Sequence, residues 1–180
     1  GFYNTNGEGP CDEVPAGQVG VTTSVSDAIT QLSGADRIVP CTNGYFRAND
    51  GPGDCNAVPA GHRGVTKTGA YAATGAVAVE PCPNGTFSTN GTGDCTDVDP
   101  GKQAEKSGAY VSTGAVNQAS CSDGHYNLNG DGPCIEVAAG YVASTSSAAT
   151  ATQADCSDSS TPCTHAAPCP DGSYKAATGA

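Results

Sequence analysis

Two short cysteine motifs alternate along this chain and leave it few ways to fold. The first is Cys-x-[Asn/Asp]-Gly-x-aromatic. It occurs from Cys41 to Phe46, Cys82 to Phe87, Cys121 to Tyr126 and Cys169 to Tyr174. The second is Cys-x-x-Val-x-x-Gly, from Cys11 to Gly17, Cys55 to Gly61, Cys95 to Gly101 and Cys134 to Gly140. Self-similarity at a fixed period means that one supersecondary unit buries its apolar face on its neighbours. The unit divides the chain into 1–40 (repeat 1, opening mid-module), 41–81 (repeat 2), 82–120 (repeat 3) and 121–155 (repeat 4). A cysteine-containing insertion follows at 156–168, then the start of an unfinished repeat at 169–180.

Asn6-Gly7, Asp50-Gly51, Asn90-Gly91 and Asn129-Gly130 lie between the motifs. Such pairs favour tight hairpins because both residues tolerate positive φ. Cys82 to Cys95 therefore reads as a small hairpin tied at its base, and Cys41 to Cys55 and Cys121 to Cys134 read alike. A second pairing scheme, Cys11–Cys41, Cys55–Cys82 and Cys95–Cys121, closes longer loops. Loop entropy does not choose between them, because doubling a loop changes closure by only ~0.6 kcal/mol.

Each Val-x-x-Gly step leads into a second segment. Thr68 to Pro81 and Ser107 to Ser120 match closely, Ser24 to Pro40 is a longer version, and Tyr141 to Asp155 a collapsed one. These Ala, Val, Thr and Tyr pieces broken by Gly suit short strands and turns, with one helical turn expected around Gln31.

Composition decides what holds such units together. With Gly 25, Pro 12 and neither Trp nor Met, the chain has few bulky groups to bury. Small domains in that position rely on covalent cross-links, and ten cysteines at repeating spacings point to disulfides in an oxidising, extracellular or cell-surface setting. No zinc or other metal site is expected: only Cys163, His165 and Cys169 approach a ligand cluster, at loose spacing. The formal net charge of −11 supplies no basic stripe for nucleic acid or an anionic membrane surface. No stretch approaches the ~20 apolar residues of a membrane span.

Aromatic residues recur in columns. Tyr3, Phe46, Phe87, Tyr126 and Tyr174 share one repeat position, and Tyr71 and Tyr110 another. Regular recurrence is what a structural role produces, so each ring is expected to cover the disulfide of its own module rather than to form a carbohydrate platform.

The string from Cys82 to Val98, CPNGTFSTNGTGDCTDV, resembles the cysteine-rich repeats of the ephrin-receptor-like type, related in shape to tumour necrosis factor receptor repeats. The resemblance covers most of the chain, and Cys82 to Cys95 is the best match. Where that family has a second cysteine, this chain has Val14, Val58, Val98 and Val137; at the other junction Ile38 and Val79 replace the first. The resemblance implies that alternate modules have exchanged a disulfide for an apolar contact. Together with the hairpin signals it favours the short loops, Cys41–Cys55, Cys82–Cys95 and Cys121–Cys134. Pairing Cys156 with Cys163 across the insertion then leaves Cys11 and Cys169 over. The chain opens just after a missing Cys-x-Asn and closes in an unfinished hairpin, so Cys169 of one copy is expected to bond Cys11 of the next, in separate protomers or consecutive repeats of one polypeptide.

Little else carries chemistry. His62, His125 and His165 neighbour no nucleophile and acid, so no catalytic residue is assigned and no enzyme is expected. Asn127, Asn129, Asp131 and Gly132 mimic the start of a calcium loop, but Ala138 stands where its bidentate Glu belongs. No cofactor is implied beyond covalent glycans, with calcium at these oxygen-rich turns the alternative. Asn84-Gly85-Thr86 and Asn90-Gly91-Thr92 are N-glycosylation acceptors in turns, and the stretch from Ser144 to Thr164 suits O-linked sugars or a connector.

The fold expected is a small disulfide-rich all-β or irregular one, with tandem hairpins stacked into an elongated rod. The function expected is a structural subunit of an extracellular filament, appendage or surface coat. Its expected partner is itself, head to tail, with no nucleic acid partner. A repeat stalk of a secreted or surface adhesion protein is the alternative.

Overall fold

The computed structural model describes residues 1–22, 30–145 and 162–169. Among them every regular element is a short β-strand. The strands form eight small antiparallel sheets, all two-stranded except one of three strands.

Each repeat builds two hairpins. The first pairs Phe2–Tyr3 with Asp12–Glu13, Tyr45–Phe46 with Asn56–Ala57, Thr86–Phe87 with Thr96–Asp97, and His125–Tyr126 with Ile135–Glu136. The register is common to all four: the aromatic column faces Asp12, Asn56, Thr96 and Ile135, each one residue past a cysteine. The motif valine closes the hairpin. Val14, Val58, Val98 and Val137 donate their amides to the carbonyls of Gly1, Gly44, Gly85 and Gly124 at 2.7–2.9 Å. Disulfides Cys41–Cys55, Cys82–Cys95 and Cys121–Cys134 tie three of these hairpins.

The second hairpin pairs Gln18–Val21 with Arg37–Pro40, His62–Val65 with Ala78–Pro81, and Lys102–Lys106 with Asn117–Ser120. In every case the residue after the motif glycine faces the residue before the next cysteine. The strand Lys102–Lys106 also pairs with Ala109–Tyr110 across Ser107 and Gly108. Their φ values of 57° and 82° are those of a two-residue hairpin turn with both central residues left-handed.

The fourth repeat is longer than the sequence suggests. Tyr141–Ser144 pairs with His165–Pro168, with Tyr141 opposite Pro168, the register of the other three. Residues His165–Pro168 are therefore the return strand of repeat 4, not part of an insertion, and the boundary at 155 moves to 168. The cue was hidden because that strand, His-Ala-Ala-Pro, shares only its final Pro with Arg37–Pro40 and Ala78–Pro81.

Gln31 also departs from expectation. It lies in no helical turn: its Oε1 accepts the Gly20 amide at 2.9 Å and its Nε2 donates to the Gly20 and Leu32 carbonyls at 3.3 and 3.1 Å. A side-chain amide here satisfies strand backbone, an option no periodicity encodes.

The core is a set of small clusters rather than one mass. Val98 packs with Ala104 and Ala115 against Phe87 and Tyr110. Val137 packs with Ala143 and Cys163 against Tyr126. Val14 and Val58 are buried at the matching position, beside Gly20 and Gly64, where a Cβ would run into Ala35 and Ala76 respectively. The four valines thus hold an apolar contact, and its partners are the small residues Ala35, Ala76, Ala115 and Cys163. The column rings Phe87 and Tyr126 cover these valine clusters. The ring packed with the Cys41–Cys55 bridge is Tyr45, one residue before the column, together with Val19, Val21 and Val39. Strand alternation explains the shift, since neighbouring residues face opposite sides. Tyr174 lies outside the described residues.

The chain forms two compact units. One comprises Gly1–Pro81 with Ser88–Cys95, the other Cys82–Phe87 with Thr96–Ala180.

Candidate functional site

The recurring chemistry of this protein lies in the seam where one repeat meets the next. In the first unit, the Gly17 amide donates to the Arg47 carbonyl at 2.9 Å and the Gly61 amide to the Ser88 carbonyl at 2.7 Å. In the second, the Gly101 amide donates to the Asn127 carbonyl at 2.6 Å. Gly17, Gly61 and Gly101 have φ near +78° (76°, 78° and 79°), which turns each amide out of its own hairpin toward the next repeat. The carbonyl of the same glycine accepts the following cysteine: Cys41 to Gly17 at 2.8 Å, Cys121 to Gly101 at 3.0 Å and Cys169 to Gly140 at 2.9 Å. The cysteine in turn holds the far end of its repeat, because the Gly75 and Gly114 amides donate to the Cys41 and Cys82 carbonyls at 2.8 Å.

One polar position reinforces the seam from inside. Asn127 is buried; its Nδ2 donates to the Lys102 carbonyl of the previous repeat at 2.8 Å and to Gly132 of its own loop at 3.1 Å. Its Oδ1 accepts the Asn129 and Gly130 amides at 3.3 and 3.0 Å. Arg47 is the same position in repeat 2. Its guanidinium donates to the Gln18 carbonyl, the counterpart of Lys102, and burial holds its pKa below the ordinary arginine value against the pull of Asp50, Asp54 and Glu13. The sequence gives no warning of this role, since Arg47 and Asn127 share polarity but no residue type.

The cysteines fall into three kinds. Three pairs are bonded within hairpins. Cys163 is buried and disulfide-bonded, standing where other repeats have alanine, and its expected partner Cys156 lies outside the described residues. Cys11 and Cys169 are free thiols, Cys11 exposed and Cys169 half-buried. Cys11 occupies the position of Cys55, Cys95 and Cys134; Cys169 occupies that of Cys41, Cys82 and Cys121.

The two sequon asparagines are exposed. The Tyr110 hydroxyl donates to Asn84 Oδ1 at 3.1 Å, and Asn90 Oδ1 accepts the Thr92 amide at 3.0 Å, leaving both Nδ2 atoms without a protein partner among the described residues. The histidines serve local turns: His62 beside the Ala60 carbonyl, His125 beside Ser122 and the Asp123 carbonyl, and His165 beside the Thr164 hydroxyl. Among the described residues no group of three or more His, Cys, Asp or Glu side chains is placed to hold a metal ion. The calcium-like loop is closed on itself, with Asn129 Nδ2 donating to Asp131 Oδ2 at 2.9 Å. No helix among the described residues is long and apolar enough to cross a membrane. The stretch suited to O-linked sugars lies mostly outside the described residues.

These features define a disulfide-tied tandem-repeat β-protein whose polar residues serve turns and seams. No protein-family model matches the chain, and no curated protein matches it.

Proposed function

We propose that this chain is a non-catalytic structural subunit of an extracellular filament, appendage or surface coat, built by head-to-tail joining of copies. One observation carries the reading. Cys11 and Cys169 are free, and they hold the two repeat positions whose counterparts are bonded to each other in Cys41–Cys55 and Cys121–Cys134. Each copy therefore presents one half of a missing hairpin bridge. Joining Cys169 of one copy to Cys11 of the next completes it. The two thiols give up two electrons and two protons to a small-molecule disulfide, which leaves as two thiols. A head-to-tail contact of this kind is heterologous and extends into an open fibre unless it closes into a ring. The seam bonds between successive repeats within each unit support the stacking of tandem hairpins that this reading needs. The bonded cysteines and the exposed sequons at Asn84 and Asn90 suit an oxidising, extracellular setting and a glycosylated surface.

The experiment is oxidation of the purified chain with oxidised glutathione, then non-reducing electrophoresis, peptide mapping and negative-stain microscopy. A mass ladder containing a Cys11–Cys169 peptide and fibres on the grid are expected. Monomers that retain two alkylatable thiols overturn the proposal.

A further inference from the structure

We infer that the edge of repeat 4 around Gly140 and Cys169 is a docking site for the first hairpin of a second copy, and that backbone groups fix this joint before any disulfide forms. The inference rests on the head-to-tail reading and specifies its contact.

Backbone groups that are paired at the internal seams have no partner among the described residues at the edges of repeats 1 and 4. The motif glycine amide is bonded to the next repeat at Gly17, Gly61 and Gly101, and these glycines are buried. Gly140 has the same left-handed φ, 84°, yet it is exposed and its amide has no hydrogen-bond partner among the described residues. The matching acceptor is the Asn4 carbonyl, the counterpart of Arg47, Ser88 and Asn127, and it too has no partner among the described residues. A second pair behaves alike. Gly75 and Gly114 donate to the cysteine that opens their repeat, whereas the Gly34 amide has no partner among the described residues. In the proposed joint Cys169 of a second copy takes the place of Cys41 and Cys82. Cys169 already sits as Cys41 and Cys121 do, donating to the carbonyl of the motif glycine at 2.9 Å.

Shape agrees with bonding. Gly91 and Gly130 are buried against the carbonyls of Val58 and Val98 in the preceding repeat, so close that a Cβ would collide with them. Gly7, their counterpart, has the same left-handed φ of 74° and nothing within 4 Å of an added Cβ. Its missing neighbour is the Val137 carbonyl of another copy. Phe2 is 58% exposed although its counterpart Tyr45 packs on Val19 and Val39 of the repeat before it. Two backbone hydrogen bonds and a glycine contact are thus left open at one end, and their complements are left open at the other. Docking there carries Cys11 to Cys169, as Cys55 stands to Cys41.

The test uses the full 180-residue chain with Cys11→Ser and Cys169→Ser, followed by sedimentation velocity across a concentration series and by hydrogen exchange. Reversible association is expected, with exchange at Gly140 and Gly34 slowing as concentration rises. Adding Gly7→Asn should weaken association by more than about tenfold, the effect of losing a single good contact. Asn tolerates the left-handed region, so the monomer keeps its melting temperature. Gly140→Asn should do the same from the other side. Gly108→Asn, at an open left-handed glycine away from both edges, should change nothing. A Gly7→Asn chain that associates like its parent overturns the inference. So does a Gly140 amide protected equally at all concentrations, which makes residues 170–180 of the same chain the occupant. A cysteine-free chain that stays monomeric overturns it too; a disulfide ladder from the unmodified chain would then leave the assembly reading standing, whereas no ladder removes both.

Discussion

A buried asparagine, Asn127, serves two repeats at once. Asn127 makes four hydrogen bonds, two as donor and two as acceptor. Replacing it by Ala leaves the Lys102 carbonyl and two loop amides without partners. Each buried unsatisfied group costs ~1–3 kcal/mol, so Asn127→Ala should lower stability by about 2–4 kcal/mol in a urea titration. Asn127→Asp keeps the acceptors and loses the donors, and should fall between. Val137, fully buried, should lose about 2 kcal/mol as Ala, from two missing methyl groups and a partly unrelaxed cavity. Asp99 gives a pH signature. Hydrogen bonds from Lys102 and Gln118 hold its carboxyl below the ordinary aspartate value. In that case the unfolded chain binds the proton more readily, so the stabilisation is present above pH ~3.8 and is lost as pH falls through the lower folded value. Asp99→Asn should flatten the melting temperature below about pH 4 and leave it little changed at neutrality, because the pair is exposed.

At the scale of one element, the hairpin and its bridge are the unit of order. The Cys41–Cys55 loop spans 14 residues, and closing a loop of that size contributes roughly 3 kcal/mol by restricting the unfolded chain. Cys41→Ser with Cys55→Ser should therefore melt earlier by that order. In hydrogen exchange the loss should be largest in Tyr45–Phe46 and Asn56–Ala57, because repeat arrays lose stability locally. The second hairpin has no bridge of its own in repeats 1 to 3 and depends on the valine clusters. Its small positions, Gly20, Gly64, Ala104 and Ala143, are set by the closeness of Ala35, Ala76, Ala115 and Cys163 across the hairpin.

For the molecule as a whole, the acidic surface sets the terms of assembly. A net charge of −11 makes copies repel at low ionic strength. Screening shortens the reach of that repulsion from ~30 Å at 0.01 M to ~8 Å at 0.15 M, so self-association should strengthen with salt in sedimentation experiments. Salt that weakens association would point to ion pairs across the joint. Glycans on Asn84 and Asn90 should appear as a mass loss on N-glycosidase treatment of the chain from a eukaryotic secretory host; an unchanged mass rules them out.

How much of this was legible differs by feature, for physical reasons. The repeat and the first hairpin follow from local chemistry, a Gly turn between short strands, whereas its bridge was chosen over the longer loops only by adding the family resemblance to those hairpin signals. The motif valines were likewise legible as apolar substitutes, because burial tracks residue type at short range. The return strand of repeat 4 was not, because an Ala-rich strand carries little pattern and its partner Tyr141–Ser144 lies beyond a long intervening segment. The bonding of Gln31 to Gly20 and the shared role of Arg47 and Asn127 depend on where side chains arrive in space. Polar groups of different shape can serve one seam, so sequence identity does not mark them. The chain alone determined what each module is. Tertiary structure decided which backbone groups each module leaves for its neighbour, because a hydrogen bond between repeats depends on the orientation of peptides that the local sequence leaves free.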